Sequence, residues 1–500
     1  MTPVPRVAVV GGGISGLAAT HRLRTRLGPS AEIVVLEQRD RLGGVLHTVD
    51  LAGTPFDVGA EAFLVRRPEF TDLLSELGRS DALTHPTAAT ATIRAGGRTV
   101  GLPRGTLMGV PGPDAALDGV LSPGDLARVA AEPSRPLTWE PGSDVALGAL
   151  LRERFGPEIV DRVADPLLGG VYAGRVDALG LRATAPALAA ALDAGAGSLT
   201  EAAGAGMAES GQRAGTLAGP VFGAVRGGYR ELIAALAAAG GATVRTGVTV
   251  RSLHRRSAAR GPAAGNGSEG HLRGPRGDEG APRDTGGWRL ELGPASRPEA
   301  LDVDAVVLAV PAPAARRLLE PVVPAASAAA GRIDLASSAV VGLAYRAADV
   351  ADMPGTSGCL IAADEPLSAK GVTHASTKWA HLGADGLVRI RASVGRFGEE
   401  ASLQVDDAEL VARVRADLRE LDGIAAEPVA SVVQRWGGGL PQYGVGHDAT
   451  VATLEDAVAG VPGLAIAGAM LHGVGVPACV GTARAAADRL AAGVALPARG

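Results

Sequence analysis

The segment Val7-Ala-Val-Val-Gly11-Gly-Gly13-Ile-Ser-Gly16-Leu constrains the fold more than any other part of the chain. Its four apolar residues make a short buried strand and Gly11 makes the tight turn that leaves it. Gly13 lets backbone approach a pyrophosphate, and Gly16 lets a helix starting near Ile14 pack closely on the sheet. Gly12 and Ser15 lie in the same turn, and the positive helix end suits phosphate. A second strand, Glu32 to Leu36, is expected to end in Glu37, where a carboxylate accepts hydrogen bonds from a ribose 2'-hydroxyl and repels a 2'-phosphate.

Taken alone, these glycines serve NAD equally well, or do no more than join a strand to a helix. The next stretch, Arg41-Leu-Gly43-Gly44, adds a cation and a glycine pair that suit a second close approach of backbone to cofactor. With Asp57-Val-Gly59-Ala60-Glu61 beyond it, this N-terminal region resembles the flavoprotein oxidases of the amine oxidase superfamily. The resemblance implies FAD as cofactor. It also implies that the chain passes beneath the flavin ring at Gly59, Ala60 and Glu61, that the backbone of Val248 meets the adenine, and that Trp436 joins the cofactor contacts.

A chain of 500 residues, 46% of them hydrophobic, can bury large cores and is expected to form two or three domains. Its net charge of -5 gives no polycationic surface for nucleic acid. The two cysteines, Cys359 and Cys479, are too few for a disulfide framework or a Cys-rich metal site, and a reducing cytoplasm fits them best. No basic stretch leads into a long apolar run at the N-terminus, and about 18 consecutive apolar residues occur nowhere, so neither a secretion signal nor a spanning helix is expected. Peripheral membrane contact stays open.

One βαβ unit cannot complete a nucleotide-binding domain, so later segments must return to it. A helix from Arg230 to Ala239 followed by a β-rich stretch, Thr243 to Leu253, is one candidate. A strand over Leu464 to Gly468 and a helix over Cys479 to Ala492, with Pro477 just before it, is another. The fold class expected is α/β: a Rossmann-like FAD-binding domain assembled discontinuously from residues 1-85, 211-311 and 436-500. A mixed-sheet substrate domain takes 86-121 and 312-435, and a helical subdomain takes 122-210. Residues 255-287, rich in Gly and mixed charge with few large apolar side chains, read as a disordered insertion.

Five further stretches narrow the resemblance: Leu102-Pro103-Arg-Gly with Met108-Gly-Val-Pro111; Asp165-Pro-Leu-Leu-Gly-Gly-Val-Tyr172-Ala-Gly174; Thr377-Lys378-Trp379; Arg435-Trp436 with Gly439-Leu-Pro441-Gln-Tyr443; and Gly473-Val-Gly475-Val476-Pro477-Ala-Cys479. They are similar to the oxygen-dependent protoporphyrinogen and coproporphyrinogen oxidases, and most of all to bacterial enzymes acting on coproporphyrinogen III. The resemblance implies removal of six electrons and six protons from a porphyrinogen, with O2 as acceptor, H2O2 as product and a ferrochelatase downstream. Flavin N5 accepts the hydride, so no catalytic acid, base or triad is nominated. Gly475, Val476 and Pro477 are expected to bring a helix N-terminus to the flavin.

A tetracarboxylate substrate needs cations. Lys378, Arg94 and Arg98 are the nominated ones, with Arg66 and Arg175 also considered, and Tyr172 is expected to line the cavity. Ala91 stands where relatives often place larger or charged residues. His47 and His472 are read as structural, Cys479 as a packed residue, and His374, His381 and His447 show no metal-ligand spacing, so no metal is expected. Rival readings are an amine oxidase, poorly served by 3% aromatic content, a carotenoid-type desaturase, and a non-catalytic flavin- or porphyrin-binding carrier.

Overall fold

The structure, a computed structural model, describes residues 4-215, 220-256 and 286-493. Residues 257-285 of the expected insertion lie outside the described residues.

Period-2 alternation in the strands builds two cores on one sheet. Five parallel strands run in the order Thr243–Arg245, Glu32–Leu36, Arg6–Val10, Ala305–Leu308, Leu464–Ile466. Val7, Val9, Ile33, Val35 and Val307 face one side, where the helices Ile14–Leu27, Tyr229–Gly240 and Val476–Gly493 cover them. Ala8, Val10, Val34, Leu36 and Leu308 face the other. There they meet an antiparallel sheet of Val250–Arg255, Trp288–Leu292 and Glu299–Val303, with the helices Ala312–Leu319 and His447–Ala459. Strands from four distant parts of the chain thus make one parallel sheet.

Two local expectations are corrected. Thr243 to Leu253 is not one β stretch: Thr243–Arg245 pairs in parallel with Glu32–Leu36, whereas Val250–Arg255 opens the antiparallel sheet. The turn between them contains Gly247 at φ +69°. The C-terminal helix starts at Val476 rather than Cys479. Pro477 therefore sits inside its first turn, which is tolerated because amides there have no intrahelical partner to lose.

A seven-stranded sheet runs Ala430–Pro441, Leu335–Arg346, Leu387–Val394, Ala369–Thr373, Gly358–Ile361, Ala91–Ala95, Arg98–Gly101. Its one parallel pair is Gly358–Ile361 with Ala91–Ala95. Val341, Leu343 and Ile390 on one face pack against the helix Asp407–Asp422 through Leu410, Val414 and Leu418. Val340 and Ala344 on the opposite face join Phe56, Trp379 and Trp436. The helices between Pro123 and Gly215 bury Leu151, Phe155, Val163 and Leu168 against Ile93 and Val110. Among the described residues, no helix is long and apolar enough to cross a membrane.

Candidate active site

The glycines of the first turn are held by packing that leaves no room for a side chain. Gly11 has φ +105°, and a Cβ there would lie 2.2 Å from the Ala309 carbonyl oxygen; one on Gly16 would lie 1.8 Å from the Gly11 carbonyl oxygen. The Gly11 amide donates to the Leu36 carbonyl (2.8 Å), tying the turn to the second strand. Glu37 is buried, and its carboxylate accepts from the amides of Gly12 (2.7 Å) and Arg39 (2.8 Å). The Gly43 amide donates to the Gly12 carbonyl (2.8 Å), and Gly13 and Gly43 form a parallel bridge. A Cβ on Gly44 would stand 3.1 Å from the Gly13 Cα. Arg41 donates to the carbonyls of Gly44 (2.9 Å) and Leu42 (3.2 Å). The Val248 amide is taken by the Glu37 carbonyl (2.9 Å), which leaves its carbonyl oxygen as the group able to meet a base.

The chain then returns beside this cradle. The Val58 amide donates to the His47 carbonyl (2.9 Å), and a Cβ on Gly59 would lie 1.7 Å from the Val45 carbonyl oxygen. Trp436 is buried, donates its indole N–H to the Val58 carbonyl (2.8 Å), and has the guanidinium groups of Arg39 and Arg41 within 5.6 and 5.9 Å of its ring. The backbone around Gly59 is thereby fixed from the seven-stranded sheet. Gly11, Gly16 and Gly59 all abut backbone, so the turn and the loop beside it can pack this closely only because these positions lack a Cβ, which sets the shape of the cradle at the helix N-terminus. That is the fit a flavin dinucleotide requires.

Glu61 is the electrostatic centre. Its carboxylate contacts Lys378 Nζ (3.2 Å) and Arg391 Nη1 (3.7 Å) and accepts from the Trp379 indole N–H. Burial pushes its pKa up, but the Lys378 and Arg391 cations and the indole outweigh this and hold it below its ordinary value. Arg391 also donates to the Gly59 carbonyl (2.6 Å), linking this ion cluster to the loop that abuts the cradle. A cavity of about 20 Å³, lined in part by Asp57, Glu61, Trp379, His381 and Arg391, has room for one water.

Asp57 accepts from Thr48 Oγ1 (2.5 Å) and the Tyr229 amide (3.2 Å), yet burial raises its pKa from 3.8 to about 7. A carboxyl whose folded pKa exceeds its unfolded one binds more protons folded, so it lowers stability progressively as pH rises from about 4 to 7. Asp57→Asn is therefore expected to flatten the fall in thermal stability across that window. Melting curves for both proteins at pH 4.5 to 7.5 check it; parallel pH profiles would refute the assignment.

The third cluster lies at the C-terminal helix. Tyr443 donates its hydroxyl to the Ala469 carbonyl (2.6 Å) and accepts from the Gly473 amide (2.8 Å), which sets the turn before Gly475, Val476 and Pro477. Tyr172, buried, has its ring 5.3 Å from that of Tyr443, and its carbonyl accepts from Gln442 Nε2 (2.7 Å). Burial pushes the Cys479 thiol up to about 11, so it stays protonated at neutral pH. His472 is exposed and paired with Glu455 (3.0 Å), whereas burial and Arg41 keep His47 below its ordinary value, with Nδ1 against Gln434 Oε1 (3.0 Å).

The structure thus brings Gly11 to Gly16, Glu37, Arg41, Gly43, Gly44 and Val248 into one cluster. Gly59, Ala60, Glu61, Lys378 and Trp436 form a second, and Gly475 to Pro477 with Tyr172 a third. Arg94 is engaged by Glu365 (3.4 Å) and Glu420 (2.8 Å), Arg175 by Asp165 (3.1 Å) and Glu399, and Arg98 and Arg66 are exposed. Lys370, Arg391 and Arg396 were not singled out from the sequence, and Asp57 entered only as the first residue of the stretch that ends in Glu61. The available signal was a charged residue inside a strand pattern, as in Leu387-Val-Arg-Ile-Arg391. That signal alone does not separate Arg391 from Arg389, whose fully buried guanidinium serves the structural carbonyls of Leu51 and Leu382.

The profile of the flavin-containing amine oxidoreductases matches residues 14-491, and the chain belongs to that family. Its cofactor is FAD. Within the family it is 43% identical to a coproporphyrinogen III oxidase of Mycobacterium leprae (strain TN), over 97% of this chain and 98% of the relative. It is 27% identical to one of Bacillus subtilis (strain 168), over 96% of each. A solved structure from Exiguobacterium sp. 255-15, which carries a provisional protoporphyrinogen oxidase assignment, superposes with TM-score 0.77 at 27% identity, covering 98% of this chain and all of that one.

Proposed function

We propose that this chain oxidises coproporphyrinogen III to coproporphyrin III, passing six electrons in three two-electron rounds to three O2 and releasing three H2O2. The observation that carries the reading is 43% identity to the Mycobacterium leprae relative over almost the whole of both chains. The Glu61–Lys378–Arg391 cluster beside the glycine cradle supports it, because an anionic substrate approaching there meets two cations held by one carboxylate.

FAD, when bound, supplies the two-electron acceptor for the C–H bond. The amides of Gly13, Ile14 and Ser15 with the helix end would hold its phosphates, and Glu37, already fixed by the amides of Gly12 and Arg39, would use its remaining acceptor capacity for the ribose hydroxyls. Arg41, Gly43 and Gly44 would keep the backbone close to it, Gly59, Ala60, Glu61 and Trp436 would lie beneath its ring, and the Val248 carbonyl would meet the adenine. Gly475, Val476 and Pro477 present the N-terminus of an 18-residue helix, whose positive end stabilises negative charge near it. Lys378 draws the substrate's propionates toward the site, and Tyr172 with Tyr443 makes an apolar wall. Residues 1-85, 211-311 and 436-500 form the cofactor domain, 86-121 and 312-435 the substrate domain, and 122-210 the helical cover. The reaction belongs in the cytoplasm, at most peripheral to the membrane, where free thiols such as Cys359 and Cys479 persist. A ferrochelatase consumes the product.

Aerobic mixing of the FAD-loaded protein with coproporphyrinogen III tests this. Coproporphyrin fluorescence should rise well above autoxidation with three H2O2 per porphyrin. Faster turnover of protoporphyrinogen IX, or none of either, would reject it.

A further inference from the structure

Buried Lys370 and half-buried Arg396 make no ion pair of their own among the described residues, because the carboxylates that act on them, Glu399 and Asp165, are both held by Arg175. Lys370, on the strand Ala369–Thr373, is buried, and its one hydrogen bond from Nζ goes to the Gly395 carbonyl (2.9 Å). An ammonium carries three donors, so this contact fixes its direction and leaves most of its capacity unused. Arg396, one residue beyond Gly395, makes no ion pair among the described residues; its one contact is a long one from Nη2 to the Ile361 carbonyl (3.4 Å). Three cations, Lys370, Arg396 and Arg175, thus share two carboxylates, and a buried ammonium without a partner either gives up its proton or takes an anion that arrives. Burial, with Arg396 and Arg391 nearby, pushes Lys370 down to about 7, which an arriving carboxylate would reverse.

Their position joins the parts of the site already described. Lys370 neighbours Arg391, which holds Glu61 and the Gly59 carbonyl. Arg396 neighbours Arg175, Glu399 and Asp165, and the Phe397 amide donates to the Ala173 carbonyl (2.7 Å), one residue past Tyr172. The pair therefore connects the loop beside the flavin cradle to the helical wall.

A porphyrinogen with two propionates can keep both in water and bury its vinyl edge. One with four cannot: whichever edge faces the flavin, a carboxylate goes in with it. We propose that Lys370 and Arg396 form a carboxylate-binding pair that receives a propionate which coproporphyrinogen III carries in place of a vinyl group of protoporphyrinogen IX, and so select the tetracarboxylate substrate. This rests on the reading under Proposed function.

The test compares FAD-loaded wild type, Lys370→Met and Arg396→Met for binding of coproporphyrin III and protoporphyrin IX, both stable, by fluorescence titration. Wild type should prefer coproporphyrin III, and each variant should lose that preference by about tenfold or more, as truncating one partner of a desolvated charge pair does. Lys370→Arg should retain most of it. Equal weakening toward both porphyrins, an unchanged ratio, or no preference in wild type would overturn the proposal. Should Lys370→Met fail to hold FAD, Arg396→Met decides. Failure of the wild type to oxidise coproporphyrinogen III would reject the functional reading separately, because the binding ratio does not depend on turnover.

Discussion

Gly16→Val is expected to give a protein that purifies without flavin colour. A Cβ at that position would stand 1.8 Å from the Gly11 carbonyl oxygen and 3.4 Å from Val9 Cγ1, so the helix Ile14–Leu27 could not keep its distance from the first strand. Either the helix moves or the turn at Gly11 does, and the turn is itself wedged against the Ala309 carbonyl. Overpacking against backbone, which no rotamer change relieves, costs about 3 kcal/mol or more. The ratio of absorbance at the flavin band to that at 280 nm, with melting curves in the presence and absence of added FAD, measures both effects. Full flavin content at an unchanged melting temperature would show that the cofactor does not sit on this turn.

The second large effect is expected from Glu61→Leu. The carboxylate compensates Lys378 and Arg391 and receives the Trp379 indole N–H, so its loss leaves two cations and a donor unanswered. Removing one partner of a buried ion cluster typically costs about 3–5 kcal/mol. Arg391 would also lose its anchor, and with it the bond to the Gly59 carbonyl that links the cluster to the cradle. Porphyrin formation should therefore fall along with stability. Glu61→Gln should be milder, since it keeps an acceptor for the indole. Denaturant unfolding of the three proteins, alongside their turnover, checks the order. A Leu variant as stable as the parent would mean that the three partners do not depend on Glu61.

The parts of the site that the sequence made legible are those whose chemistry is local. A strand, a glycine turn, a helix and an acidic strand end fall between Val7 and Glu37, and the backbone needs of such a turn can be read residue by residue. Glu61 and Lys378 were legible singly, one beside the flavin and the other as a cation for substrate. Their mutual contact was not, because 316 intervening residues separate them in the chain and two different sheets carry their neighbours. The cations near Ala91 show the same dependence on tertiary neighbours. Arg94 and Arg98 lie in the hairpin at the edge of the seven-stranded sheet, and Arg94 faces Glu365 and Glu420. Residue type announces a charge, while its partner is chosen by strand order.

On its own, the sequence determined the glycine turn, the carboxylate that ends the second strand, the alternation that gives each strand two faces, and the family to which the chain belongs. These follow from φ/ψ needs and side-chain period, which are properties of a few consecutive residues. The folded chain alone decided which buried charges are answered. Arg389 and Arg391 stand two residues apart on one strand, yet the first is taken up by Asp385 and structural carbonyls and the second reaches Glu61 and Gly59. Lys370 and Arg396 acquire their meaning in the same way, from having no ion pair of their own among the described residues while Arg175 holds Asp165 and Glu399 beside them. Compensation of charge in a low-dielectric interior depends on distances across the whole molecule, and no pattern along the chain encodes them.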